Sequence, residues 1–532
     1  MCSLMETLAA SSNLTINKRK QCVLECLLVL LVVFSAFTLR VWGMSNVHFW
    51  DEAAYLQNAE VICCDKTNYS ELDSRPPLLS LFFAGLFLLW HHIYAADIGT
   101  ALLNALGPAF LYLSGRMIVG RIPAAIGSLL LAFSPFFVGV FPKGFDSDNT
   151  GNSLLSDSPA LTLLLLGFWL LLIALRRQSD WRFACVGLVF ALTVLMRFAS
   201  LSTIGILSLL IFAAARWWRR VFACVIGFLV GFTPYLCWSR LRYEGYFETL
   251  RRGWTYYQGD RQSPLFYAQS FGTMFCWITL VGLTVWVVRW VWQWKARSTA
   301  KVGEGERMPT TSPQWMELFL WVWAALVLVF FFALPHQEPR YAMPAAPPLF
   351  LLAGSGLSVL IMPRHTAARN VGIILLAGGL AWSFLPDIQR FKLPLINGTA
   401  TTEEMQVAQY LSSNFPPDTV LYSNFNYPLF GFYTRLQVEE LPETGPRLYD
   451  ALSHLPEDGI LVAYSNPEID PDPRHEWLSS NPHFRILREF PSLVLYQYRQ
   501  DVAKTNSRCR QDTPQPATRP TPTHAPGSTC RP

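Results

Sequence analysis

The sequence predicts a mainly α polytopic membrane protein of about eleven transmembrane helices, with a juxtamembrane helix in its first outer loop and a small C-terminal α/β domain. Three observations predict it. Of 532 residues, 52% are hydrophobic and 15% charged, where soluble domains carry about a quarter charged. Apolar runs of about 18 residues or more recur along the chain, and 19 Trp with 37 Phe suit lipid-facing walls and interfacial belts. Counted in order, the runs place nearly every basic cluster on one side, as the positive-inside rule requires.

The first run, Cys22 to Trp42, follows Lys18-Arg19-Lys20, which places residues 1–20 in the cytoplasm; the run is long enough to stay as an anchor. The loop Gly43 to Arg75 then lies outside. Pro76-Pro77-Leu78 opens an apolar stretch that ends at Trp90-His91-His92. At about 14 apolar residues it is short for a span and reads as an interfacial or re-entrant helix. If it does not cross, helices near 97–115, 121–141, 157–175, 183–196, 199–215, 221–238, 265–288, 315–334, 342–362 and 369–386 complete the bundle within residues 21–394. Arg116, Arg121, Arg176, Arg177, Arg219, Arg220 and the basic stretch from Arg289 to Arg307 then fall inside. Residues 395–500 change character. Thr401-Thr402-Glu403-Glu404 is a capping-box pattern opening a helix to about Ser413, and Thr419–Tyr422, Gly459–Tyr464 and Leu493–Tyr498 read as strands. Residues 501–532 are Pro/Thr-rich and compositionally disordered.

The same parity collects the side chains capable of chemistry on the outer face. His48-Phe49-Trp50-Asp51-Glu52-Ala53-Ala54-Tyr55 puts adjacent carboxylates beside aromatics just past a membrane exit, where Asp51 or Glu52 could serve as a general base. Arg75, before Pro76-Pro77, either meets a phosphate or snorkels. Asp146-Ser147-Asp148 has the spacing of a metal-binding pair. Asp157 either caps a helix starting near Pro159 or serves at membrane level. A divalent metal is permitted but not required, with Asp51, Asp148 and Asp157 as candidate ligands. Arg197 interrupts an apolar hairpin and needs an acidic partner or a phosphate. In His336-Gln337-Glu338-Pro339-Arg340-Tyr341, Arg340 suits bidentate phosphate recognition, Glu338 could hold it, and His336 could donate to a leaving group.

Other chemistries are unsupported. There is no GxxxxGK[ST] loop, no GxGxxG in a strand–turn–helix setting, no GxSxG and no HExxH. The 11 cysteines form no metal-site pattern, and the neighbours Cys63-Cys64 read as poorly placed to bridge each other. Asn68-Tyr69-Ser70 and Asn397-Gly398-Thr399 are sequons on the outer side.

Trp50-Asp51-Glu52-Ala53-Ala54-Tyr55, Arg75-Pro76-Pro77-Leu78-Leu79, Leu155-Ser156-Asp157-Ser158-Pro159-Ala160-Leu161 and Glu338-Pro339-Arg340-Tyr341 to Pro347-Pro348-Leu349 together resemble the C-type (GT-C) integral-membrane glycosyltransferases. The nearest group is the protein-mannosyltransferase and aminoarabinose-lipid A transferase relatives, families 39 and 83. The resemblance covers about residues 20–390. It implies a polyprenyl-phosphate-linked sugar donor, an acceptor hydroxyl on lipid, glycan or protein, and a site on the periplasmic or luminal face. That face belongs to the plasma (inner) membrane, or to the ER membrane in a eukaryotic host. It also implies Asp51 as base, Asp157 as a second acid near the donor, and inversion at the anomeric carbon. Arg197 and Arg340 are the candidates to support the departing phosphate. His336 to Tyr341 is similar to the HKExRF signature of dolichyl-phosphate-mannose-dependent enzymes, departing at Gln337 and Tyr341. A transporter or flippase for a lipid-linked glycan is the competing reading, and a scaffold displaying the C-terminal domain a third. No nucleic-acid partner is implied.

Overall fold

The computed structural model describes residues 16–42, 50–134, 137, 155–214, 218–255, 266–299, 313–334, 337–362, 366–396, 402–442, 446–464 and 474–500. Asp146, Asp148, His336, Asn397 and the tail 501–532 lie outside the described residues. The chain divides into two compact units, Met1–Thr402 with Pro428–Arg435, and Glu403–Tyr427 with Leu436–Pro532.

The first unit is helical. Its elements are α1 (Ile16–Trp42), α2 (Trp50–Cys63), α3 (Pro77–Leu89), α4 (Ile93–Ile118), α5 (Arg121–Ala132), α6 (Asp157–Arg177), α7 (Asp180–Met196), α8 (Ser200–Ala214) and α9 (Trp218–Tyr243). They continue with α10 (Glu248–Thr255), α11 (Phe266–Gln269), α12 (Phe271–Phe275), α13 (Trp277–Thr299), α14 (Pro313–Ala333), the 3-10 turn Pro339–Ala345, α15 (Ala346–Ile361) and α16 (Thr366–Ile396). Each predicted span position therefore carries a helix. Among the described residues, six segments are long and apolar enough to cross a membrane: Val23–Val41, Ile93–Ile118, Asp157–Arg177, Trp218–Tyr243, Trp315–Ala333 and Arg340–Ile361.

Two segments differ from expectation. The predicted span 265–288 is broken: Cys276 takes φ 64° between α12 and α13, a left-handed backbone that ends one helix and re-aims the next. Within the first loop, residues 50–63 form a helix the sequence did not announce, because α2 buries every residue from Glu52 to Ala59 and so shows no amphipathic contrast.

Exposure gives the membrane logic of the first span. On α1 the exposed side chains Leu24, Leu27, Leu31 and Phe34 recur at helical spacing, while Val29, Val32 and Ala36 are buried. That inner face packs on the small residues Ala105 and Ala109 of α4 and Ala124 and Ala132 of α5. Small residues also bring α7 and α9 together. A Cβ added to Gly187 would run into the Cys224 carbonyl, and one on Gly227 into that of Ala184. Close backbone approach of this kind is how membrane helices gain dispersion energy where lipid supplies no hydrophobic drive. At the end of the bundle formed by the start of α1 and the end of α4, Glu25 bridges Arg116 (2.6 Å) and Arg121 (2.5 Å).

Helix α3 has 13 residues, about 20 Å of rise, against about 30 Å of hydrocarbon. It buries Leu79, Ser80, Phe83, Ala84 and Phe87 on one face and exposes Leu81, Leu88 and Leu89 on the other. An apolar helix apolar on its exposed face too, yet too short to span, fits the juxtamembrane role expected of it.

In the second unit, β1 (Val420–Ser423), β2 (Gln437–Glu440), β3 (Gly459–Tyr464), β4 (Phe484–Glu489) and β5 (Leu493–Tyr498) form one sheet in the order β2-β1-β3-β5-β4. β1 pairs in parallel with β2 and β3; β5 runs antiparallel to β3 and β4. Tyr422, Leu461, Val494 and Tyr496 fill its core with Leu448 and Leu478 from the helices Pro446–Ser453 and Arg474–Ser480.

Candidate active site

Helix α2 is the frame of the site. Its Gln57 amide donates to the Asn68 side chain (2.9 Å) and the Tyr69 carbonyl (3.0 Å), and Asn58 accepts from the Glu71 backbone N–H (2.8 Å). These bonds pin residues 68–71 and so fix the approach to Arg75. Tyr55 donates to Ser156 Oγ (3.2 Å), tying α2 to the head of α6. Burial pushes the Tyr55 phenol up to about 12, which keeps it a neutral donor.

Asp51 sits in the first turn of α2, between two guanidiniums. Arg75 Nη1 meets its Oδ1 at 2.7 Å and Arg340 Nη1 its Oδ2 at 2.8 Å. Each arginine is itself held. Arg75 Nε pairs with Glu71 (2.7 Å), whose other oxygen accepts from Tyr69 (2.8 Å). Arg340 presents its Nε and Nη2 edge to both oxygens of Glu338, a fork-on-fork pair. Glu338 also accepts from Tyr341 (3.3 Å), and its backbone carbonyl accepts from Tyr267 (3.2 Å). Burial pushes the Asp51 carboxyl up, but Arg75 and Arg340 outweigh it and hold the group well below the usual carboxylate range.

A second pair stands beside the first. Arg197 follows α7 in extended backbone and donates to Asp157 at 2.6 Å. Asp157 lies in the first turn of α6, where its carboxylate turns to the arginine rather than capping the helix. Tyr341 joins the two pairs, with Arg197 5.2 Å and Arg340 5.8 Å from its ring centroid, a cation–π contact on each side. Asp157, Arg197, Arg340 and Tyr341 also line a cavity of about 10 Å³ with Phe331 and Met343, room for a single water.

Asp51, Arg75, Asp157, Arg197, Glu338, Arg340 and Tyr341 are thus brought together from separate stretches of chain. None of the ion pairs just described uses Glu52, which is buried at the adjacent position of α2. His336 and Asp148 lie outside the described residues. Sequence reasoning passed over Glu71 and Tyr55; the i, i+4 spacing of Glu71 and Arg75 was the available signal for the first.

Of the three candidate metal ligands, Asp51 and Asp157 are described and Asp148 is not. Among the described residues no three His, Cys, Asp or Glu side chains stand together as ligands, and the carboxylates of Asp51 and Asp157 are engaged by guanidiniums. Two expectations change. Cys63 and Cys64 are joined by a disulfide at the end of α2. Asn68 is buried, its amide donating to the carbonyls of Gly431 (2.9 Å) and Thr434 (3.3 Å), so the first sequon presents no exposed acceptor.

Residues 74–238 match the family described as dolichyl-phosphate-mannose-protein mannosyltransferase. No curated protein matches the chain. Among solved structures, ArnT from Cupriavidus metallidurans bound to undecaprenyl phosphate is similar over 90% of this chain and 98% of its own, with 14% identity and TM-score 0.60. The Archaeoglobus fulgidus oligosaccharyltransferase tethered to an acceptor peptide matches over 84% and 69%, with 11% identity and TM-score 0.55. The arabinofuranosyltransferase AftD from Mycobacteria matches over 89% of this chain and 40% of its own, with 16% identity and TM-score 0.54. The protein has the fold of the GT-C glycosyltransferases, a multi-pass membrane fold. Family match and fold together point to a glycosyltransferase.

Proposed function

We propose that the protein transfers a sugar from a polyprenyl-phosphate donor to an acceptor hydroxyl on the extracytoplasmic face of its membrane, with inversion. The observation that carries this reading is Asp51 held between Arg75 and Arg340, beside the Arg197–Asp157 pair and next to the juxtamembrane helix α3. Three arginines suit a phosphate, and an ionised carboxylate among them suits proton transfer from an alcohol. The acceptor oxygen attacks the anomeric carbon, and its proton passes to Asp51. The bond from that carbon to the phosphate oxygen breaks, its electron pair leaving with the lipid phosphate, whose growing charge faces Arg340 and Arg197. The undecaprenyl phosphate in the ArnT structure supports a lipid-phosphate donor, and the acceptor peptide in the oligosaccharyltransferase structure supports a protein as well as a lipid acceptor. A divalent metal has no step in this scheme.

The test is purified full-length protein in lipid, given a panel of radiolabelled undecaprenyl-phosphate sugars and a crude lipid-and-glycan extract as acceptor. Wild type should transfer one of the sugars, and Asp51→Asn should lose about 10²–10⁴-fold of that rate at normal protein content. Full activity in Asp51→Asn rules out the assigned base. Translocation of a lipid-linked glycan across vesicles, without any glycosidic product, would instead favour the flippase reading.

A further inference from the structure

The first outer loop is also held from a distant stretch of chain. Residues Pro428–Arg435 lie between β1 and β2 in sequence, yet they belong to the compact first unit. They carry all but the first residue of the helix Tyr427–Tyr433. A helix ends in carbonyls that its own backbone leaves unsatisfied. Here the Phe430 carbonyl accepts from the backbone N–H (2.9 Å) and the hydroxyl (2.7 Å) of Thr434. The carbonyls beyond it take donors from the loop. Asn68 Nδ2 donates to those of Gly431 (2.9 Å) and Thr434 (3.3 Å), and Lys66 Nζ to that of Phe432 (2.6 Å). A cation at a helix C-terminus is favourable in its own right. Tyr69 packs against Gly431, where an added Cβ would stand 2.8 Å from Tyr69 Cβ. This close approach of loop and helix leaves no room for a side chain at position 431.

From that contact, bonded groups lead to the acid assigned as base. Asn68 Oδ1 accepts from Gln57 (2.9 Å), which also donates to the Tyr69 carbonyl (3.0 Å). The Tyr69 hydroxyl donates to Glu71 (2.8 Å), the other oxygen of Glu71 accepts from Arg75 Nε (2.7 Å), and Arg75 Nη1 reaches Asp51 (2.7 Å). Gln57, Asn68, Tyr69 and Glu71 are each at most 9% exposed. Displacing any of them would leave a buried donor or acceptor unpaired, so the set resists movement as a whole. Arg75 thus takes its position from two sides, from Asp51 on α2 and from the loop fastened to Gly431 and Thr434. That position matters, because a misplacement of about 1 Å at a reacting centre costs about 10²-fold in rate.

We propose that the helix Tyr427–Tyr433 is a positioning element of the donor site, acting through Asn68, Tyr69 and Glu71 to fix the Arg75 guanidinium. Asn68 and Tyr69 are positioning residues that act on the donor only through Arg75. The effect on donor phosphate rests on the glycosyltransferase reading; the hold on residues 68–75 does not. A helix that merely anchors the loop would lower stability when disturbed and leave donor affinity unchanged.

The experiment uses the full chain in phosphatidylcholine nanodiscs and two readouts. Hydrogen exchange without added lipid follows the amides of Glu71, Ser74 and Arg75, which donate to Asn58 and to the Glu71 carbonyl. Titration with undecaprenyl phosphate, counted by native mass spectrometry, gives its Kd. Gly431→Ala, which presses a methyl on Tyr69, should speed exchange at the three amides about tenfold and raise Kd about 3–10-fold. Tyr69→Phe keeps the packing, covers the case in which Gly431→Ala does not fold, and should raise Kd by a similar factor. Combined with Glu71→Gln, Tyr69→Phe should add almost nothing, because both break one path; independent damage would multiply. Gly187→Ala, a destabilised control remote from the loop, should change neither readout. Unchanged Kd in Gly431→Ala and Tyr69→Phe, or multiplying effects in the double variant, overturns the proposal. A wild type that binds no undecaprenyl phosphate refutes the donor reading and with it the effect on donor binding. Exchange then decides the hold on the loop, and unchanged exchange in Gly431→Ala overturns that too.

Discussion

Replacing Arg340 by Lys tests whether the site works through a guanidinium fork or through charge alone. Arg340 makes a two-point bond to Glu338 and a third bond to Asp51 at 2.8 Å, with its side chain 19% exposed. Charge-assisted bonds contribute about 1.5–3 kcal/mol each when buried. A lysine keeps one of the three at best. Discounted for partial exposure and for non-additivity, the loss is about 2–4 kcal/mol. Under the proposed function Arg340 also supports the departing phosphate, and removing one such donor costs about 10²–10³-fold in kcat. Thermal unfolding of the purified protein in lipid reads the first quantity, and initial rates of sugar transfer read the second.

Arg340→Met adds a pH test. Because two arginines outweigh burial, Asp51 titrates below the ordinary carboxylate value in the folded protein. Its stabilising contribution is present above that ordinary value, about 3.9, and is lost as pH falls through the folded one. In wild type, therefore, the acid limb of kcat/KM from Asp51 lies below the ordinary carboxylate range. With Arg340 gone, burial is opposed by Arg75 with only the more distant Arg197 in support, and the limb should move up by about 1–2 units. An unshifted acid limb in Arg340→Met, or full rate in Arg340→Lys, would refute the pairing as the working arrangement of the site.

Three other substitutions separate the parts of the molecule. Glu71→Gln removes the charge that steadies Arg75 at 2.7 Å without touching Asp51, so KM for the lipid donor should change about 3–10-fold with kcat nearly constant. Arg289→Met breaks a buried set in which Glu317 accepts from Arg289 (3.1 Å) and Trp286 (3.1 Å), with Ser355 also bonded to both charged partners. It should cost about 3 kcal/mol in thermal stability, while the protein that survives purification keeps its kcat. Gly187→Ala forces a methyl against the Cys224 carbonyl, and should lower stability by about 1–3 kcal/mol with no change in substrate KM.

The spans were legible because a membrane demands long apolar runs, and α3 was legible as their exception because it is too short. Helix α2 was not, since eight consecutive buried residues give no periodic contrast. In the second unit β3 and β5 lie inside the sheet and are nearly all buried, so they read clearly as strands. Strands β2 (Gln437-Val438-Glu439-Glu440) and β4 (Phe484 to Glu489) lie at the sheet edges and carry the charges that discourage further pairing. Those same charges hide them from a reading based on hydrophobic alternation. In the site, residue types were legible and partners were not. Asp51 meets an arginine 289 positions away, and Asp157 one 40 positions away, separations that only the fold closes.

The self-pairing of the cluster bears on how a base can be made available at the right moment. Four carboxylates (Asp51, Glu71, Asp157 and Glu338) face three guanidiniums, and each arginine already has a carboxylate at hydrogen-bond distance. Under the proposed function, a donor phosphate must therefore compete with a carboxylate for N–H groups. Arg75 and Arg340 each keep a neighbouring acid, Glu71 or Glu338, close to them in sequence. Asp51 depends on both arginines, and is the carboxylate most exposed to that competition. As the phosphate takes up the guanidiniums, the field holding Asp51 down weakens, burial remains, and the carboxylate gains basicity. The base would then become competent only once the leaving group is in place. Such coupling disfavours proton abstraction from water in a site without donor, and it follows from the pairing of Asp51 with two arginines rather than one.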